Sequence, residues 1–243
     1  MAASRSRPCL LLLPGILCDR RIFRAQSRAL RAVADVVIPD TSRIREVRKW
    51  LDGLLQRLPR RFGVAGLPRS GLGALELLRL ALHCIERLAL IGSNAEPASP
   101  RAYRRRRYYW CLWRSQGPAA LARQVKPTYF QRPTQRRRHS PLVREMALAM
   151  STRAARAQFD WGATRDSVLA LWSRFAGPAL IVSGVGDQLC PPALQRRLEH
   201  ANPRAHWDAF ARCGHFIPLE RPAALNASLR ARIATPAQAT RDP

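Results

Sequence analysis

The chain has 243 residues, 47% of them apolar, and a formal net charge of +26 from 42 basic against 16 acidic residues. That apolar share is too high for a disordered chain, and no apolar run approaches the roughly 20 residues that span a bilayer. Six cysteines (Cys9, Cys18, Cys84, Cys111, Cys190 and Cys213), none spaced as CxxC, exclude a disulfide scaffold and make a zinc site an unsuitable reading.

Cys9–Leu13 is an unbroken apolar run stopped by Pro14-Gly15 and predicts a buried strand. Arg5 and Arg7 before it imitate a signal peptide, but the run is short and no small-residue cleavage site follows, so a cytoplasmic protein with reduced thiols is expected. Gln26–Arg31 belongs to a helical stretch, and Ala34–Ile38 is a second strand closed by Pro39-Asp40. Ile44–Leu58 has helical spacing, with Val47, Leu51, Leu54, Leu55 and Leu58 along one side. Arg61–Ala65 predicts a third strand, Gly66-Leu67-Pro68 a sharp turn, and Leu72–Cys84 a helix striped by Leu75, Leu78 and Leu82. Arg87–Ile91 is a fourth strand, ended by Gly92. Residues 97–176 are helical in character but irregular, and read as a cap inserted into a sheet domain made of residues 1–96 and 177–243. The alternation then resumes with strand Ala179–Ser183, helix Pro192–His200, strand His206–Phe210 and helix Pro222–Ile233, before a tail at Thr235–Pro243. Strands alternating with helices predict an α/β fold with a mostly parallel sheet covered on both faces.

Sites in such sheets lie beyond the carboxyl ends of the strands. Four ends carry suggestive residues: Leu13 to Asp19, Gly66 to Gly71, Ser183 to Pro192 and Arg212 to Pro222. The third holds Gly184-Val185-Gly186-Asp187 followed by Cys190-Pro191-Pro192, and the fourth Cys213-Gly214-His215-Phe216-Ile217-Pro218-Leu219-Glu220-Arg221-Pro222. With these two segments together the chain resembles the α/β-hydrolase superfamily, small bacterial carboxylesterases in particular, outside its middle stretch. The resemblance implies hydrolysis of a small-molecule ester or thioester by acyl transfer, without cofactor or metal. It places Asp187 at the acid position and His215 at the base, in the family's chain order of nucleophile, acid, histidine. His215 would take the proton, and Asp187 would fix its tautomer and stabilise the imidazolium. The amides of Ile16 and Arg69 fall where oxyanion donors are expected.

The nucleophile position departs from the family. Its elbow requires Gly-x-Ser-x-Gly between strand and helix, whereas this chain has Gly66-Leu67-Pro68-Arg69-Ser70. Pro68 has no hydroxyl, and its φ is locked near −65°. Ser70, two residues on, is the nearest substitute, although a serine there ordinarily caps or packs the helix start. Three accounts follow: a hydrolase with weakened or lost activity; chemistry by Ser70, or by water activated by His215 and Asp187; or a compensated reading-frame slip, which would yield arginine, alanine and proline in excess. The alternative function is a catalytically inactive protein that keeps the pocket for a small molecule or binds a polyanion.

The positive charge has its own reading. Lys49 and Lys126 are the lysines, and the other 40 basic residues are arginine. Arg104–Arg107 stand beside Tyr108, Tyr109, Trp110 and Trp113, and a second cluster is Arg136–Arg138. Such a surface attracts polyanions in a salt-dependent way, but no nucleic-acid-binding signature accompanies it. Solvated arginines on an exposed cap, with no specific nucleic-acid partner and no membrane, are expected. His83, His139, His200 and His206 lack the context of His215 and read as structural or surface residues.

Overall fold

The computed structural model describes residues 7–67, 71–93, 95–97, 99–163 and 167–234. Its centre is a six-stranded sheet: β1 (Cys9–Leu13), β2 (Asp35–Val37), β3 (Phe62–Gly66), β4 (Ile85–Ile91), β5 (Ala179–Gly184) and β6 (Ala205–Phe210). The spatial order is β2-β1-β3-β4-β5-β6, and every neighbouring pair is parallel. The inner strands are buried almost throughout, while β2 and β6 at the edges are partly exposed. This accounts for the continuous apolar runs, since strands covered on both faces have no polar side.

Side chains alternate across the sheet with period two, and the core divides accordingly. Leu11, Leu13, Val64, Leu88, Leu90 and Ile181 join one cluster. Leu10, Leu12, Ala65, Ala89, Ile91, Leu180 and Val182 join the other. The first is covered by helices α2 (Val47–Leu55) and α3 (Gly71–Ala81), and by α7 (Leu169–Arg174) and α8 (Pro192–Ala201), whose Leu51, Leu75, Trp172 and Leu198 are buried there. The second is covered by α1 (Arg24–Leu30) and α10 (Pro222–Leu229), through Leu30, Leu225 and Leu229.

Between β4 and β5 the chain makes a helical excursion. It holds α4 (Pro100–Gln124), α5 (Pro133–Leu148), α6 (Thr152–Ala163) and then α7, which returns it to the sheet. Ser99 caps α4, its hydroxyl accepting the Ala102 amide at 3.2 Å. The helix kinks at Gly117, whose φ of 78° suits glycine and precedes Pro118. Among the described residues no helix is long and apolar enough to cross a membrane.

Several elements differ from the sequence expectation. Helix α2 is shorter than Ile44–Leu58 because its last residues tighten into 3-10 type bonds, Arg57 to Leu54 and Leu58 to Leu55, before Pro59. Helix α3 stops at Ala81, and a 3-10 turn (Leu82–Cys84) leads into a β4 that starts two residues earlier than its apolar run. Arg87 is tolerated inside that strand because it reaches the carbonyl of Arg232 at 3.2 Å. The expected last helix divides into α10 and a π-helical turn at Arg230–Ala234, and a short helix, α9 (Ile217–Glu220), precedes it.

Candidate active site

The loop after β5 is shaped by glycine. A Cβ on Gly184 would collide with the carbonyls of Cys213 and Gly214, so the Asp187 and His215 loops meet backbone to backbone. The Gly186 amide donates to the Cys213 carbonyl at 2.9 Å, and the Val185 amide to Phe210 at 3.0 Å. Asp187, 2% exposed, is thereby held beneath His215. One carboxylate oxygen, Oδ1, accepts the amides of Leu189 at 2.8 Å and Cys190 at 3.0 Å. The other, Oδ2, lies 2.7 Å from Nδ1 of His215.

Burial by itself would raise the Asp187 carboxyl. The neighbouring His215 charge, the hydrogen bond to it, and the two amides outweigh burial and hold the carboxyl below its ordinary range. Because the folded state favours the ionised form, this group adds stability above the unfolded carboxylate range and loses it as pH falls. Urea unfolding should therefore show a stability gap between wild type and Asp187→Asn at pH 7 that narrows as pH drops through about 4. A gap that is constant from neutral to acid pH would refute this.

His215 is clamped by residues from outside its own loop. Its amide donates to the Tyr129 carbonyl at 2.7 Å, and the Tyr129 ring meets the imidazole edge-on at 5.2 Å between centroids. Glu220, buried, accepts the Gly214 amide at 3.0 Å with one oxygen and the Gln131 amide at 3.1 Å with the other. Burial pushes the Glu220 carboxyl up against the opposing pull of these amides. A Cβ on Gly214 would sit 2.8 Å from the Gln131 nitrogen, so this approach also needs glycine. With Nδ1 committed to Asp187, Nε2 of His215 is the nitrogen available for proton transfer.

A cavity of about 500 Å³ lies beside this pair, lined by His215 and Phe216, by Ile16 and Leu17 after β1, by Leu67 after β3, and by Ser93 after β4. The turn after β1 is strained at Leu17, whose φ is 54°. Its amide donates to Gln158 Oε1 at 2.9 Å, and Gln158 Nε2 donates to the Thr41 carbonyl at 3.0 Å. The Cys18 amide is bonded to the Gly15 carbonyl at 3.0 Å. Ile16, the expected oxyanion donor, lies in the cavity wall. Strand β3 ends at Gly66 and α3 begins at Gly71; Pro68, Arg69 and Ser70 lie outside the described residues.

Among the described residues one trio has donor atoms placed to hold a metal ion: Asp187, Cys190 and His215, within 4.8 Å of one another. Nδ1 of His215 and Oδ2 of Asp187 are already bonded to each other at 2.7 Å.

The arginine clusters divide. Arg104, Arg107 and Arg136–Arg138 are exposed, as expected of solvated side chains, whereas Arg105 is half-buried and Arg106 buried, both in the cavity wall. A solvated face does not describe these two. The other histidines lie outside the cavity wall. His139 contacts Gln135 at 3.0 Å and stacks on Phe130, and His206 contacts Asp208 at 3.0 Å on the edge strand. Tyr129, Gln158, Ser93 and Glu220 were not foreseen as parts of the site. Glu220 had a signal, standing within the histidine segment, and Ser93 another, following the end of the fourth strand; Tyr129 and Gln158 had none.

No protein-family model matches the sequence, and no curated protein does. Solved structures do resemble it. A thermophilic esterase from Thermogutta terrifontis, solved with malate bound, aligns with a TM-score of 0.83 at 23% identity, over 93% of this chain and 89% of its own. An enol-lactonase from Burkholderia xenovorans LB400 aligns at 0.77 and 20% identity, over 94% and 92% of the two chains. An α/β-hydrolase enzyme from a Medee basin deep-sea metagenome library aligns at 0.76 and 17% identity, over 95% and 90%.

Proposed function

We propose that this chain, which has the α/β-hydrolase fold, hydrolyses a small carboxylic ester or thioester, with His215 as general base and Asp187 as its orienting acid. The observation that carries the reading is the buried 2.7 Å bond between His215 Nδ1 and Asp187 Oδ2 at the wall of a cavity sized for a small molecule. Nε2 would take a proton from the attacking oxygen as that oxygen bonds to the acyl carbon. It would return the proton to the leaving alcohol or thiol as the acyl bond breaks. The attacking group is water or the Ser70 hydroxyl, since Pro68 supplies none; if Ser70, the acyl-serine so formed would be cleaved by a water that gives its proton to Nε2, which returns it to the serine oxygen as the acid leaves. The amides of Ile16 and Arg69 would stabilise the oxyanion, residues 97–176 would serve as the cap over the cavity, and the protein would act in the cytoplasm.

Hydrolysis of p-nitrophenyl acetate tests this directly. The wild type should be slow, and His215→Ala should lower its rate about 10²-fold, the usual worth of a general base. Equal rates, with circular dichroism unchanged, would refute catalysis. That result favours the second reading, a small-molecule binding protein that retains the pocket, for which Pro68 is the specific observation.

A further inference from the structure

The cavity wall opposes an ordinary rule of helix burial. Helix α4 presents Ala102, Arg105, Arg106 and Tyr109 to it, a spacing of i, i+3, i+4 and i+7 that makes one stripe. An inward stripe is normally apolar, yet its two middle positions are arginine. Arg106 is 4% exposed and Tyr109 9%. The Nε of Arg105 is buried and has no hydrogen-bond acceptor among the described residues. Arg101, one turn before Arg105, lines the same cavity.

Among the described residues of the wall, four arginines (Arg101, Arg105, Arg106 and Arg197) stand against one acidic residue. That residue, Glu96, is bonded to Arg197 at 3.2 Å. A guanidinium taken from water needs an anion or acceptors to replace its hydration. Its planar fork matches a carboxylate with two parallel hydrogen bonds. The α4 N-terminus, with Ser99 and Arg101 in the wall, adds a field of the same sign.

We infer that the substrate is a carboxylate-bearing ester or thioester, such as a half-ester of a dicarboxylic acid, whose anionic end binds Arg105 with Arg101 and Arg106 around it. This rests on the reading of His215 and Asp187 as the hydrolytic pair, because the same cavity must bring the scissile bond to His215. The volume of about 500 Å³ takes such a molecule whole.

Binding and turnover test it separately. Glutarate, dimethyl glutarate and inorganic phosphate serve as probes of the wild type in ligand-observed saturation-transfer NMR. Glutarate should bind and dimethyl glutarate should not. Arg105→Ala should weaken glutarate about tenfold, the loss of one charge-assisted pair, while Arg136→Ala on the outer cluster changes nothing. Phosphate binding more tightly than glutarate at the same arginine would overturn the carboxylate assignment, as would glutarate binding unaffected by both Arg105→Ala and Arg106→Ala. For turnover, Pro68→Ser should cleave mono-p-nitrophenyl glutarate in preference to p-nitrophenyl acetate, with Arg105→Ala removing about tenfold of that preference. No preference for the anionic ester refutes this inference and leaves the hydrolytic reading intact. Arginine-dependent glutarate binding without any turnover does the reverse.

Discussion

Pro68→Ser is expected to raise ester hydrolysis about 10³-fold or more over the wild type, measured as kcat/KM on p-nitrophenyl acetate. The reasoning starts from what the wild type retains. His215 and Asp187 stand in hydrogen-bond contact, His215 in the wall of a cavity, so the groups proposed as proton acceptor and orienting acid are already paired. A hydroxyl at the end of β3 is what the chain lacks, because Leu67 is followed by proline. Without it, attack depends on water or on a displaced serine, and neither gains the proximity of a nucleophile fixed beside its base. Serine at position 68 restores the oxygen and releases φ from the proline ring. Combining Pro68→Ser with His215→Ala should return the rate to background. If Pro68→Ser changes nothing while wild-type activity survives Ser70→Ala and disappears in His215→Ala, water is the nucleophile and the restoration argument is wrong.

Gly184→Ala should destabilise the fold by about 3 kcal/mol, at the upper end of overpacking costs, and should abolish any His215-dependent activity. The methyl group would meet the carbonyls of Cys213 and Gly214, which are backbone and have no rotamer by which to move aside. The only relief is separation of the β5 loop from the histidine loop, and that stretches the bond between Asp187 and His215. Urea denaturation measures the first effect and p-nitrophenyl acetate hydrolysis in the Pro68→Ser background the second. An alanine variant with wild-type midpoint and rate would show that the two loops are not in contact in solution. Gly53→Ala is the matched control, since a Cβ there meets nothing within 4 Å.

The parts of the site legible from the amino-acid order are those written locally. Asp187 and His215 were expected together from the resemblance of their two segments to a known family, and the structure brings their side chains to 2.7 Å, with Gly184 allowing the two loops to meet. The inner strands were equally open, because burial on both faces leaves an unbroken apolar run. What stayed hidden depends on distant partners. Gln158 bonds Leu17 across 141 positions, and nothing in the surroundings of either residue announces the other. The first two residues of β4 were missed because the charged Glu86 separates Ile85 from the run read as strand. Arg105 and Arg106 were lost in a run of four identical side chains, and only the helical phase separates the two that face inward from the two in solvent.

The attachment of His215 to Tyr129 and of Glu220 to Gln131 has a mechanical consequence. Those two partners belong to the connection between α4 and α5, so this connection and the histidine loop form one hinge-free seam. Lifting the α4–α5 connection would have to break the bonds of His215 to Tyr129 and of Glu220 to Gln131, the backbone support of the loop that carries the imidazole. On the proposed function a ligand would therefore enter away from that edge; the first turns of α4, Gln188 and Leu194 line the same cavity away from the Tyr129 connection.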